Sequence, residues 1–169
     1  MRVTKAMQCK ITYLSPEHTL REAYEAMKDG SFRHIPVIEE DILVGILSDR
    51  DVLARSVMDE DGVLEVPDML IANAMTKDFI TCSATAQIAD IADVMIDSQI
   101  DAMPVTDEAG HLEGLVTSTD LLGLLRDRTQ ETNPRTLPLN WYMNQSRTHI
   151  FQTHEDEPHF RTFHEEMRR

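Results

Sequence analysis

Cysteine is scarce: Cys9 and Cys82 are the only two in 169 residues, and neither stands in a C-x-x-C or other metal-ligand spacing. A disulfide scaffold and a thiolate metal site are therefore not expected, and a reducing, cytosolic compartment is. Positive charge is also in short supply. Sixteen basic residues face thirty acidic ones, a formal net charge of -14, so the summed field repels nucleic-acid backbones and anionic lipid headgroups. A small anionic ligand remains compatible with that field, because a few basic side chains outweigh it at short range. No stretch approaches the roughly 20 apolar residues needed to cross a bilayer, and the basic start has no apolar run behind it. The chain is expected to be soluble, not exported, and without a membrane or nucleic-acid partner. Aromatic residues make up 5% of a chain that is 41% hydrophobic, which suits one compact domain or two small, closely packed units. Also missing are a P-loop, an H-E-x-x-H pair, a nucleophile elbow and a Ser-His-Asp arrangement, so no enzyme is expected.

What is present is a repeat. The segment from Met7 overlays that from Met75 at a constant offset of 68: Ser15 on Ser83, Leu20 on Ile88, Met27 on Met95, Pro36 on Pro104, Val37 on Val105. The second copy then carries one extra residue in a Gly-containing turn, and Gly45 matches Gly114, Ser48 matches Thr117, and Asp51 matches Asp120. Each copy reads as a short strand (11–14; 79–82), a helix of 3.6 period opened near Ser and Thr, a hairpin (34–38 with 43–47; 102–105 with 112–116) and a second helix. The hairpin proline cannot donate to a ladder, so its strand should lie at an edge or a break. The fold class is α/β (α+β), two tandem βαββα units. Unit boundaries are expected at 5–57 and 71–126, with an acidic, solvated linker at 58–70 and a C-terminal extension at 127–169.

Two motifs in register carry a resemblance: Ile35-Pro36-Val37 with Gly45-Ile46-Leu47-Ser48-Asp49-Arg50-Asp51, and Met103-Pro104-Val105 with Gly114-Leu115-Val116-Thr117-Ser118-Thr119-Asp120. The repeat resembles the cystathionine-β-synthase (CBS) domain, and the tandem resembles a CBS pair, or Bateman module. The resemblance implies a pseudo-twofold pair with two clefts for adenosine derivatives such as AMP, ADP or ATP, no obligate cofactor, a homodimer, and regulation of an unknown partner protein.

The residues themselves fit such a site. Asp51 and Asp120 stand one turn into a helix, where a carboxylate can accept both ribose hydroxyls. Ser48 and Thr117, three residues earlier, sit where an N-cap hydroxyl and nearby backbone amides would meet phosphate. A plain capping box accounts for the same spacing. The copies differ: Arg33, His34 and Arg50 in the first face Asp101, Ala102 and Thr119 in the second, so one cleft is expected to gather the basic set. For the base, Thr12, Tyr13, Thr81 and Cys82, with Ile35, Pro36, Met103 and Pro104, are the candidate lining.

The extension holds an extended connector, Trp141-Tyr142-Met143, and His149, His154, His159 and His164 at steps of five. That step matches neither one helix face nor a zinc His pair, so these are read as surface histidines, and the apolar segment as a docking element on its own or a partner chain. Leu53, Leu121, Leu122 and Leu125 are expected to leave an apolar patch suited to self-association. A structural dimerisation module with degenerate clefts and a small enzyme on this scaffold are the competing readings.

Overall fold

The computed structural model describes residues 1–130, 140–143 and 149–152, with side chains to residue 128. It comprises two units, Met1–Arg126 and Asp127–Arg169. The second contributes one described hairpin, β7 (Asn140–Met143) with β8 (His149–Gln152), pairing Trp141 with Phe151. The docking role read into its side chains, and the step of histidines beyond His149, lie outside the described residues.

In the first unit the elements run α1 (Leu20–Gly30), β1 (His34–Glu39), β2 (Ile42–Ser48), α2 (Asp49–Leu53), β3 (Val57–Met58), β4 (Leu64–Glu65), α3 (Ile88–Ser98), β5 (Ala102–Thr106), β6 (Leu112–Thr117) and α4 (Ser118–Gln130). Helix α1 starts at a capping box: the Glu22 amide donates to Thr19 Oγ1 and the Thr19 amide to Glu22. That donation holds the Glu22 carboxyl below its usual range. Leu20, Ala23 and Met27 recur on one face and are buried. Helix α3 buries Ile91 and Met95 in the same way but is capped by Gln87, whose side chain makes no cap bond. There the hydroxyls of Ser83 and Thr85 bond each other at 2.7 Å.

Both hairpins are antiparallel and in equivalent register, Pro36 opposite Ile46 and Pro104 opposite Leu115. The leading strands expected at 11–14 and 79–82 shrink to single parallel bridges, Leu14 with Val37 and Cys82 with Val105. Proline is the reason. Leu14 N–H donates to the Pro36 carbonyl and Ile38 N–H to Leu14, so the next rung would need an N–H on Pro36, which has none. Pro104 ends the second ladder identically, with Cys82 N–H on its carbonyl and Thr106 N–H on Cys82.

The copies exchange their leading segments. Gln8 bridges Leu115 in β6, and Thr76 bridges Ile46 in β2. Gly45 and Gly114 permit this approach, since a Cβ on Gly45 would lie 2.5 Å from Met75 Sδ, and one on Gly114 2.9 Å from Met7 Sδ. The two cores follow the exchange. Val66, Ile71 and Ala74 join Leu20, Ile35, Leu47 and Val52 in the first. Val3 joins Ile91, Met103, Val105 and Val116 in the second. The stretch 58–70 therefore differs from a solvated loop. Residues 60–63 are exposed, but β3–β4 leads Val66 into the first core, and the Val66 carbonyl accepts from Arg21 at 2.7 Å. Val66 is buried and Leu64 and Met69 pack against the first core, while Met58, Val63 and Leu70 stay exposed, a division that net charge cannot reveal.

Candidate functional site

Exchange of the leading segments makes two mixed clefts. In the Asp120 cleft, of about 300 Å³, Thr117, Thr119 and Asp120 from the start of α4 face Lys10, Ile11, Thr12, Phe32, Arg33 and His34 from the first copy. In the Asp51 cleft, of about 530 Å³, Ser48, Arg50 and Asp51 face Asp78, Phe79, Ile80, Ile100, Ala102 and Pro104 from the second. Such volumes match small-ligand sites. His34 and Asp101 line both.

Each Ser/Thr-x-x-Asp motif closes as a capping box. Asp51 Oδ2 accepts from the Ser48 amide at 2.9 Å and its hydroxyl at 2.6 Å. Asp120 Oδ2 accepts from Thr117 in the same way, at 2.8 and 2.6 Å. Only one oxygen of each carboxylate is used by the cap, so capping and a ligand role for the other oxygen are compatible.

The basic set is divided rather than gathered. Arg33 lies in the Asp120 cleft, while Arg50 lies in the Asp51 cleft and donates to Asp101 at 2.7 Å. The physical reason is the exchange: residues before the hairpin proline of one copy face the helix start of the other. The Asp120 cleft thus carries Lys10 and Arg33 against Asp101 and Asp120, and the Asp51 cleft carries Arg50 against Asp51, Asp78 and Asp101.

Among the residues expected beside the base, Thr12 and Pro104 line clefts. The others line neither. Ile35, Pro36 and Met103 are fully buried, because both faces of the central hairpin strands are covered. Tyr13, next to Thr12, points out and is 58% exposed, and Thr81 is exposed. Cys82 packs against the second core, and burial pushes its thiol pKa up. Sequence reasoning passed over Gln8, Lys10, Ser31 and Phe32 and their partners at the repeat offset, Thr76, Asp78, Gln99 and Ile100, all of which line clefts. The offset was the signal that could have paired them. Ser31 and Gln99 end α1 and α3 in the left-handed conformation, both at φ 55°, which turns the chain into each cleft.

Half-buried His34 has its pKa lowered by burial; Asp49 opposes this and Arg33 reinforces it. The unfolded chain therefore binds this proton more readily than the folded protein. The contribution is present above the unfolded value near 6.5 and is lost as pH falls through the folded value. The exposed His111–Asp107 pair, 2.8 Å apart, raises the His111 pKa and acts with the opposite sign, losing its contribution as pH rises. The difference between wild type and His34→Gln isolates His34: wild type should lose more thermal stability between pH 7 and pH 5 than the variant.

The CBS domain sequence profile matches residues 3–58 and 71–127, well over half of the chain. The chain belongs to the CBS domain family. An uncharacterized protein of Methanocaldococcus jannaschii is 26% identical over 139 residues, 81% of this CBS chain and 48% of that protein. The chain thus spans about half the length of this relative. A CBS domain pair solved with 5′-methylthioadenosine and S-adenosyl-L-methionine superposes with a TM-score of 0.63 at 23% identity, covering 74% of this chain and 99% of that one. The cytosolic domain of the Mg²⁺ channel MgtE, solved with ATP, superposes with a TM-score of 0.60 at 22% identity, covering 73% and 48%. Among the described residues of this CBS pair, no helix is long and apolar enough to cross a membrane.

Proposed function

We propose that this CBS pair is a regulatory module that binds an adenosine-type nucleotide between its two repeat copies and transmits occupancy to a partner protein, with no catalysis of its own. The observation that carries the reading is the composition of each cleft: a helix-start Asp from one copy facing the leading segment of the other. Ribose hydroxyls donate to the Asp oxygen that the cap does not use, and the base lies against Ile11, Thr12 and Phe32, or against Phe79, Ile80 and Pro104. A phosphate is drawn to Lys10 and Arg33. The adenosine-containing ligands of the two structural relatives support this ligand class. Self-association belongs to the same reading: Leu53 and Leu122 are 52% and 64% exposed, although Leu121 packs against the second core, and a second copy would cover the exposed pair.

Mass spectrometry of the small molecule that copurifies with the protein should return an adenosine derivative. In calorimetry, Asp51→Ala should weaken nucleotide binding at its cleft by at least about 1.5 kcal/mol, the lower end for a hydrogen bond to a charged group, with circular dichroism unchanged. Unchanged affinity in the double variant Asp51→Ala/Asp120→Ala removes the ribose assignment, whereas no nucleotide binding by the unaltered protein favours a purely structural dimerisation module.

A further inference from the structure

The two ribose acceptors are not in the same state. Asp120 Oδ1, the oxygen the cap leaves over, accepts a hydrogen bond from Gln8 Nε2 at 2.9 Å. At the equivalent position of the other cleft stands Thr76, and no bond from its side chain to Asp51 occurs among the described residues. The nearest partner of Asp51 Oδ1 is Arg55 Nη1, 3.9 Å away and beyond hydrogen-bonding reach.

Gln8 is held where it can compete. Its amide donates to the Leu115 carbonyl at 2.8 Å and its carbonyl accepts from Leu115 N–H at 3.0 Å, while Gly114 lets this segment lie close on β6. The backbone is thereby fixed and the carboxamide needs only its own rotamers to reach Asp120. A ribose entering this cleft must displace an existing charge-assisted bond, so the gain from its hydroxyls is offset by the loss of Gln8. In the Asp51 cleft the same hydroxyls meet an oxygen with no such competitor.

We propose that Gln8 is a specificity-determining residue: its carboxamide occupies the ribose acceptor of the Asp120 cleft, so that this cleft discriminates less between a ribonucleoside and its 2′,3′-dideoxy analogue than the bare carboxylate would. The inference rests on the reading of both clefts as adenosine sites. It assigns the weaker ribose selectivity to the Asp120 cleft and leaves the Asp51 carboxylate to select for the ribose hydroxyls.

The test is calorimetry of the full chain carrying Asp51→Ala to weaken the other cleft, fitted to two sites, with and without Gln8→Ala, titrated with adenosine, AMP and 2′,3′-dideoxyadenosine. Freeing Asp120 should tighten adenosine and AMP alike by about three- to tenfold. Dideoxyadenosine, which has no hydroxyls to offer Asp120, should bind equally in both proteins. Gln8→Thr, which installs the residue of the equivalent position, should reproduce Gln8→Ala. Equal shifts for all three ligands, or weaker adenosine binding without Gln8, overturn the role while leaving the adenosine reading in place. Absence of binding by any ligand to either protein, and to the chain with Asp51 intact, overturns that reading and the role with it.

Discussion

AMP binding at the Asp120 cleft should fall by about 3 kcal/mol, roughly a hundredfold, when Lys10 and Arg33 are both replaced by glutamine. Two hydrogen bonds to charged groups would sum to more, but both side chains are exposed and salt screens them, so the sum is discounted. The same double variant should flatten the salt dependence of AMP binding there and leave neutral adenosine nearly unchanged. Arg50→Gln should weaken AMP at this cleft far less, because Arg50 lies in the other one and acts here only by neutralising Asp101, which lines both. Asp101→Asn should act oppositely at the Asp120 cleft, strengthening AMP by removing a like charge. Calorimetry at two salt concentrations checks all of these, and two equal AMP sites indifferent to Lys10 and Arg33 would show that these cations are only solvated surface groups.

Leu20→Ala should destabilise the protein by about 2–5 kcal/mol, read from the midpoint of denaturant unfolding at constant slope. Leu20 has no exposed surface and opens α1 in the core that also takes Val66 and Ile71, and its amide donates to the Met69 carbonyl at 2.8 Å. Truncation leaves a cavity bordered by both the first copy and the inter-copy stretch, neither of which can collapse without dragging the other. A loss below about 1 kcal/mol would mean that residues 66–74 are not held in this core. Leu53→Ala, at a half-exposed position on α2, should cost far less by the same assay.

Much of the fold was legible because the repeat is printed in local patterns. The hairpin strands fell within a residue or two of their observed ends, since short apolar runs bounded by an acidic or Gly-containing turn, repeated in register, mark them in both copies. The helix starts at Ser48 and Thr117 followed from capping chemistry that acts within four residues. The leading strands were overread, because their rungs depend on which neighbour Pro36 and Pro104 face. The stretch 58–70 was misread for a related reason. Its acidic content is a property of composition, whereas the burial of Val66 depends on what lies against it.

The amino-acid sequence by itself determined the two copies, their elements, the two capped Asp residues and the inequality of their flanking charges, all of which arise from contacts within a few residues. Which side chains share a cleft was decided only by the tertiary structure. Each leading segment crosses to the sheet of the other copy, so Arg33 meets Asp120 rather than Asp51, Arg50 meets Asp101, and Gln8 reaches a carboxylate 112 positions away. Offsets along the chain carry no information about that crossing, because it is set by which exposed sheet edge and which unfilled core each segment can complete.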